Sequence, residues 1–162
     1  MTLRFAFYTT AELEEVLRQR AQQVGVAVDE DAVAAIASRG KGTPRLALHL
    51  FQAARRVAAS TAERGPLHAA HVERACELEG LDNIGLNTTE QAYLRLLATA
   101  GKPVPPNVVA AQLGLPAATV ARVTESFLLQ MGFVERGKRG RELTAAGREH
   151  LDRARAITSA VE

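Results

Sequence analysis

Apolar residues recur along this chain at intervals of three and four, the spacing that places them on one face of a helix. Leu13, Val16, Leu17 and Val24 trace the first such face. Thr9 and Glu12 open it as a capping box, in which the hydroxyl takes a free backbone N–H three residues on and the carboxylate reaches back. A second helix starts where Asp29, Glu30 and Asp31 put carboxylates at the positive end of the helix dipole. It carries Val33 and Ile36 and stops at Gly40-Lys41-Gly42. Thr43 then offers an N-cap hydroxyl, and Pro44 a first helical residue with φ already set. Leu46, Leu50, Ala53 and Val57 carry this third helix to about Ala62, where Arg64-Gly65-Pro66 breaks it. A fourth helix runs from about His68 to Glu79.

Residues Gly80 to Gly85, rich in glycine and Asx residues, have the composition of a connector and divide the chain into 1–84 and 85–162. Thr88 to about Thr99 is helical through Tyr93, Leu94 and Leu97, and Gly101 to Pro106 is a stiff loop. Asn107 to Leu113 then forms a short helix, Gly114-Leu115-Pro116 a tight turn, and Ala117 to about Met131 a second helix with Val120, Val123, Phe127 and Leu128 inward. That is a helix-turn-helix pattern. Two short strands follow around Gly137-Lys138-Arg139-Gly140, making a hairpin, and Thr144 caps a last helix from Ala145 to about Ala156. The expected fold is mostly α: a four-helix bundle followed by a winged-helix domain with a small β-hairpin wing.

Composition agrees and narrows the class. Thirty alanines, 47% hydrophobic and 23% charged residues describe a folded helical protein whose helices pack closely, and exclude a disordered tail. The single cysteine, Cys76, has no internal disulfide partner, which suits a reducing compartment. The first residues do not read as a signal peptide, and no apolar run approaches the roughly 18 residues of a membrane span. A cytoplasmic protein without membrane contact is expected.

The formal net charge of +2 says little, but its placement says more. Residues 1–84 hold ten Lys/Arg and eleven Asp/Glu, and residues 85–162 hold ten and seven, so the basic excess lies in the second half. Arg136, Lys138, Arg139 and Arg141 concentrate it on the wing, between glycines that let the backbone come close to a partner. Such cations neutralise phosphates and release counterions, which yields affinity for DNA with little sequence readout. The exposed side of the presumed recognition helix, with Ala117, Ala118, Thr119, Arg122, Thr124 and Glu125, has one cation and no Asn or Gln for adenine. Arg122 is therefore at most a phosphate contact.

Catalytic chemistry is not legible. Gly40-Lys41-Gly42-Thr43 lacks the G-x-x-x-x-G-K-[ST] spacing of a phosphate loop, which occurs nowhere in these residues. Arg45 beside a helix N-terminus reads as an exposed cation able to meet a phosphate brought from elsewhere. His68 and His71 stand three apart without further ligands, so a surface role is expected and no metal site. Cys76 reads as a small buried hydrophobe.

Four stretches in chain order carry a resemblance: Arg4-Phe5-Ala6-Phe7-Tyr8 before a helix; Lys41-Gly42-Thr43-Pro44-Arg45-Leu46-Ala47 opening another; Gly80-Leu81-Asp82; and Glu125 to Arg136 leading into Arg139-Gly140-Arg141. Together they resemble the carboxy-terminal half of the RuvB-type Holliday-junction branch-migration motors, a family of AAA+ ATPases. The resemblance implies an AAA+ lid-like bundle over 1–84 and a winged-helix DNA-binding domain over 85–162. It further implies that Arg45 is the sensor-2 arginine approaching a nucleotide γ-phosphate, that Pro44 and Tyr8 line the base pocket, and that Arg139 and Arg141 touch DNA. The family's Walker A, Walker B, sensor 1 and arginine finger have no counterpart in these residues. ATP and Mg are thus expected only if an ATPase core is supplied, and no cofactor otherwise. Gly137-Lys138 stands where the family has Thr-x, and the tail from Thr144 runs longer than usual.

The function expected is that of a non-sequence-specific lid and head portion of such a motor in recombination and repair. Its partners would be duplex or four-way-junction DNA and an AAA+ core or motor subunits, with the long last helix a candidate for self-association. The alternative is a winged-helix regulator binding a palindromic site as a dimer, because Leu143 to Leu151 resembles the last hairpin and helix of MarR- or PadR-like repressors. A third reading, a protein-interaction module, predicts no DNA affinity at any salt.

Overall fold

Side chains close some helix starts in this molecule and leave others uncapped. The computed structural model describes residues 7–61 and 65–159. Arg4, Phe5 and Ala6 of the first matching stretch, and Ala62 and Arg64 at the expected end of the third helix, lie outside them. The chain divides into two units, 1–85 and 86–162.

The first unit holds α1 (Thr10–Gln23), α2 (Glu30–Arg39), α3 (Pro44–Ser60) and α4 (Ala69–Glu79). The capping box of α1 is complete: the Thr9 hydroxyl accepts from the Glu12 amide at 3.2 Å, and the Glu12 carboxylate accepts from the Thr9 amide at 2.8 Å. Asp29 and Thr43 occupy the N-cap positions of α2 and α3, yet neither caps through its side chain. Thr43 instead donates its hydroxyl to the Lys41 carbonyl at 3.3 Å, and Asp29 accepts from His68 Nδ1 at 2.6 Å. His68 lies just before α4 as its N-cap, and its amide donates to His71 Nδ1 at 3.0 Å. The two histidines therefore build a helix start. Among the described residues no group of three or more His, Cys, Asp or Glu could hold a metal.

The core of this unit shows what the alanines are for. Leu17, Ile36, Leu50, Phe51 and Val72 fill it, and Ala32, Ala47 and Ala54 have no exposed surface. Small side chains at these contacts let helix axes approach without voids. In the connector, the Asp82 carboxylate accepts from the Ile84 amide at 3.0 Å. Gly85 has φ +84°, and a side chain there would run into the Arg39 carbonyl.

The second unit opens with α5 (Thr88–Ala100), whose capping box is Asn87 with Glu90, and buries Tyr93, Leu94 and Leu97. Next come α6 (Pro106–Leu113) and a helical stretch of three parts: α7 (Ala117–Thr119), a π turn (Val120–Thr124) and α8 (Glu125–Gln130). Strands β1 (Val134–Gly137) and β2 (Gly140–Leu143) pair antiparallel, with Val134 opposite Leu143 and Arg136 opposite Arg141. Val104 adds an antiparallel bridge to Arg141. The last helix, α9 (Ala145–Ser159), starts where the Thr144 hydroxyl accepts from the Gly147 amide at 3.1 Å. The fold is mostly helical with a hairpin wing.

One expectation fails here. The stretch after Pro116 is not a uniform α-helix: a π turn bonds each amide one residue further back, so the residues after it are rotated relative to a 3.6 period. Val123, expected inward, is 65% exposed, while Thr124 and Glu125, expected on the outer side, are buried. No helix among the described residues is long and apolar enough to cross a membrane.

Burial pushes the Cys76 thiol up from its ordinary 9.0 to about 11, against a smaller downward pull from Arg39. The folded protein thus keeps a proton between about pH 9 and 11 that the unfolded chain releases. Stability must fall as pH rises through that window, because the unfolded state binds fewer protons there. Melting curves at pH 8 and pH 10.5 should show a smaller alkaline loss for Cys76→Ala than for the parent chain.

Candidate nucleic-acid interface

A two-residue turn carries Lys138 and Arg139 between the wing strands, and both are exposed. Gly140 makes this turn possible. Its φ is +146°, and a Cβ there would overlap the Val104 carbonyl, so the wing can lie against Val104 only with glycine at this place. The bond from the Val104 amide to the Arg141 carbonyl is 2.9 Å, and its reciprocal is 2.8 Å.

Along the wing, side chains alternate between faces. Arg136 lies directly opposite Arg141, and Glu135 directly opposite Glu142. Like charges so placed repel each other. For the arginine pair the structure supplies a carboxylate: Glu125 of α8, only 2% exposed, accepts from Arg136 Nε at 3.3 Å and from Arg141 Nε, both on Oε1. Tyr93 of α5 completes the cluster. Burial first, then the nearby Glu125 charge, pushes its hydroxyl up to about 12, while the charges of Arg141 and Arg136 pull the other way.

The predicted DNA-contacting cations therefore fall into two sets. Lys138 and Arg139 at the tip and Arg122 in the π turn are exposed. Arg136 is half engaged, with its side chain 52% exposed, and Arg141 is drawn inward, with 15% exposed. Sequence reasoning missed Glu125 and Tyr93 as parts of this site. Glu125 was hidden by the π turn, and Tyr93 read as plain core.

In the first unit, the amide of Tyr8 donates to the Gly42 carbonyl at 2.9 Å, which holds Tyr8 beside the turn leading into Pro44. Its side chain is exposed, Pro44 is half-buried, and Lys41 just before carries a left-handed φ of 51°. Arg45 is exposed on the first turn of α3. It lines an open groove of about 470 Å³ with Arg20, Gln19 and Gln23 of α1 and His49 and Gln52 of α3. Neither Tyr8 nor Pro44 lines this groove, so the structure does not gather the three residues into one pocket.

An AAA+ lid followed by a winged-helix domain is the class these features define. The family model of the RuvB AAA lid domain matches residues 8–82, and that of the RuvB C-terminal winged helix domain matches residues 83–152. The chain belongs to the RuvB family, corresponding to its C-terminal lid and winged-helix portion. It is 36% identical over 157 residues to the Holliday junction branch migration complex subunit RuvB of Kosmotoga olearia, covering 96% of this chain and 46% of that one. To the same subunit of Paramagnetospirillum magneticum it is 37% identical over 150 residues, covering 91% and 43%. The Thermotoga maritima RuvB Holliday junction branch migration motor superposes with a TM-score of 0.85 at 33% identity, over 91% of this chain and 50% of that one. The chain thus spans about half the length of the relatives it matches. None of these similarities supports the transcription-regulator alternative.

Gly140→Ala should destabilise the wing by about 1–3 kcal/mol through its strained backbone and the blocked approach of Val104. Gly114, at φ +65° with open space around its missing Cβ, serves as the comparison. Thermal melts should show a larger drop in Tm for Gly140→Ala than for Gly114→Ala.

Proposed function

We propose that this chain is the DNA-binding lid and head portion of a RuvB-like branch-migration motor, acting on duplex or four-way-junction DNA in recombination and repair. The observation that carries the reading is the exposed pair Lys138 and Arg139 at the tip of a wing whose fold and sequence are those of the RuvB winged helix. Arg122 adds a further phosphate contact. The recognition stretch exposes Ala117, Ala118, Thr119 and Val123, which supply no hydrogen-bond pattern able to discriminate base pairs, so binding is indifferent to sequence.

Tyr8, Pro44 and Arg45 form half of a nucleotide site, with Tyr8 and Pro44 toward the base and Arg45 toward the phosphates. An AAA+ core must bring the other half, including a Walker A loop and Mg. When bound there, ATP would supply the driving force for movement along DNA; this chain's own residues only bind and orient. A cytoplasmic setting agrees with the lone, buried Cys76. Self-association through α9 has less behind it, because His150 of α9 stacks on Phe133 at 5.0 Å and Leu151 is buried.

Fluorescence anisotropy of labelled four-way-junction and random-duplex DNA, titrated across salt, tests the reading. Binding should be alike on unrelated sequences and fall steeply with salt. Lys138→Ala/Arg139→Ala should make the slope of log K against log salt shallower by about 1–2, as expected for two lost phosphate contacts at roughly 0.9 each. No binding at low salt would sink the proposal.

A further inference from the structure

The basic wing contains one feature that DNA binding alone does not require: a buried acid facing its cations. Glu125 lies on α8 directly after the π turn and is 2% exposed. Among the described residues its carboxylate pairs with two wing arginines that stand opposite each other in the hairpin register. Its Oε1 takes Nε of both, and its Oε2 lies 3.5 Å from Arg141 Nη2. Arg141 is further held by its own backbone bridge to Val104. A guanidinium held this way already has a carboxylate where a phosphate would otherwise sit. Arg136 differs: half of its side chain stays in solvent, and it meets the carboxylate through Nε at 3.3 Å.

We propose that Glu125 is a positioning residue that sorts the wing cations, withdrawing Arg141 from the phosphate-contacting set into an internal pair that fixes the wing on α8. The DNA-facing set is then Lys138, Arg139 and Arg122, with Arg136 shared between Glu125 and phosphate. This inference rests on the DNA-binding reading above and goes beyond it, because it assigns Arg141, one of the four cations of the wing sequence, to the architecture of the site.

The test combines two readouts on the full chain: the salt slope of duplex binding by anisotropy, and Tm. Arg139→Gln should make the slope shallower by about 0.9, the share of one phosphate contact, with Tm unchanged. Arg141→Gln should lower Tm and leave the slope unchanged. Arg141→Lys, which keeps the charge but loses the fork that meets both oxygens of Glu125, should also lower Tm without altering the slope. Glu125→Gln gives the discriminating result. A purely structural acid would, when neutralised, weaken binding or leave its slope alone, whereas release of the withheld arginines should make the slope steeper by about 0.9 or more.

An Arg141→Gln slope that falls like that of Arg139→Gln, or a Glu125→Gln slope that stays at the parent value, overturns the proposal while DNA binding stands. Absence of binding by the parent chain at low salt overturns both together. If Arg141→Gln does not fold, the slope of Glu125→Gln decides.

Discussion

A single buried carboxylate between two arginines organises the second unit. Removing a charge from water is costly, and a buried ion pair does not by itself make a protein more stable than a well-packed apolar core of similar volume. What the Glu125 cluster contributes is geometry. Arg136 and Arg141 face each other across the hairpin, and the carboxylate between them offsets their repulsion. With Glu125 in place, the wing is held against α8 through both arginines. The exposed tip at Lys138 and Arg139 is then presented from a fixed base.

The first unit meets a different constraint, the satisfaction of helix ends. Of its four helix starts, two are closed by paired side chains: Thr9 with Glu12 in α1, and His68 with His71 in α4. Asp29 turns from its own helix to His68, which links the start of α2 to the start of α4. The parallel bridge between Val28 and Leu67 makes the same link through the backbone. Alanines in the contacts keep these helices close enough for such short bonds to form. The turn of Lys41, Gly42 and Thr43 is held to Tyr8 by one backbone bond, so two stretches more than thirty positions apart become neighbours.

Much of this was legible in the residues. The helix starts at Thr10, Pro44 and Ala145, the glycine-rich connector, the hairpin around Lys138 and Arg139 and the apolar faces of α1, α2, α3 and α5 all follow from local rules of capping, periodicity and turn chemistry. These signals act over three or four residues, and a sequence displays them directly. The motif strings also carried the family, since the stretches that resemble RuvB are contiguous.

What the chain could not display was where its periodicity breaks. A 3.6 period run through Ala117 to Met131 turns Val123 inward and Glu125 outward, and the π turn at Val120–Thr124 reverses both. No local signal marks that turn, because a wider turn wins only when distant groups reward it. Here the reward comes from Arg136 and Arg141, which stand eleven and sixteen positions from Glu125. Cation identity was written in the sequence, while each cation's partner, and so its freedom to meet a phosphate, was decided by packing. Charge is a property of a residue, but the availability of that charge depends on which neighbours the fold brings within hydrogen-bond distance.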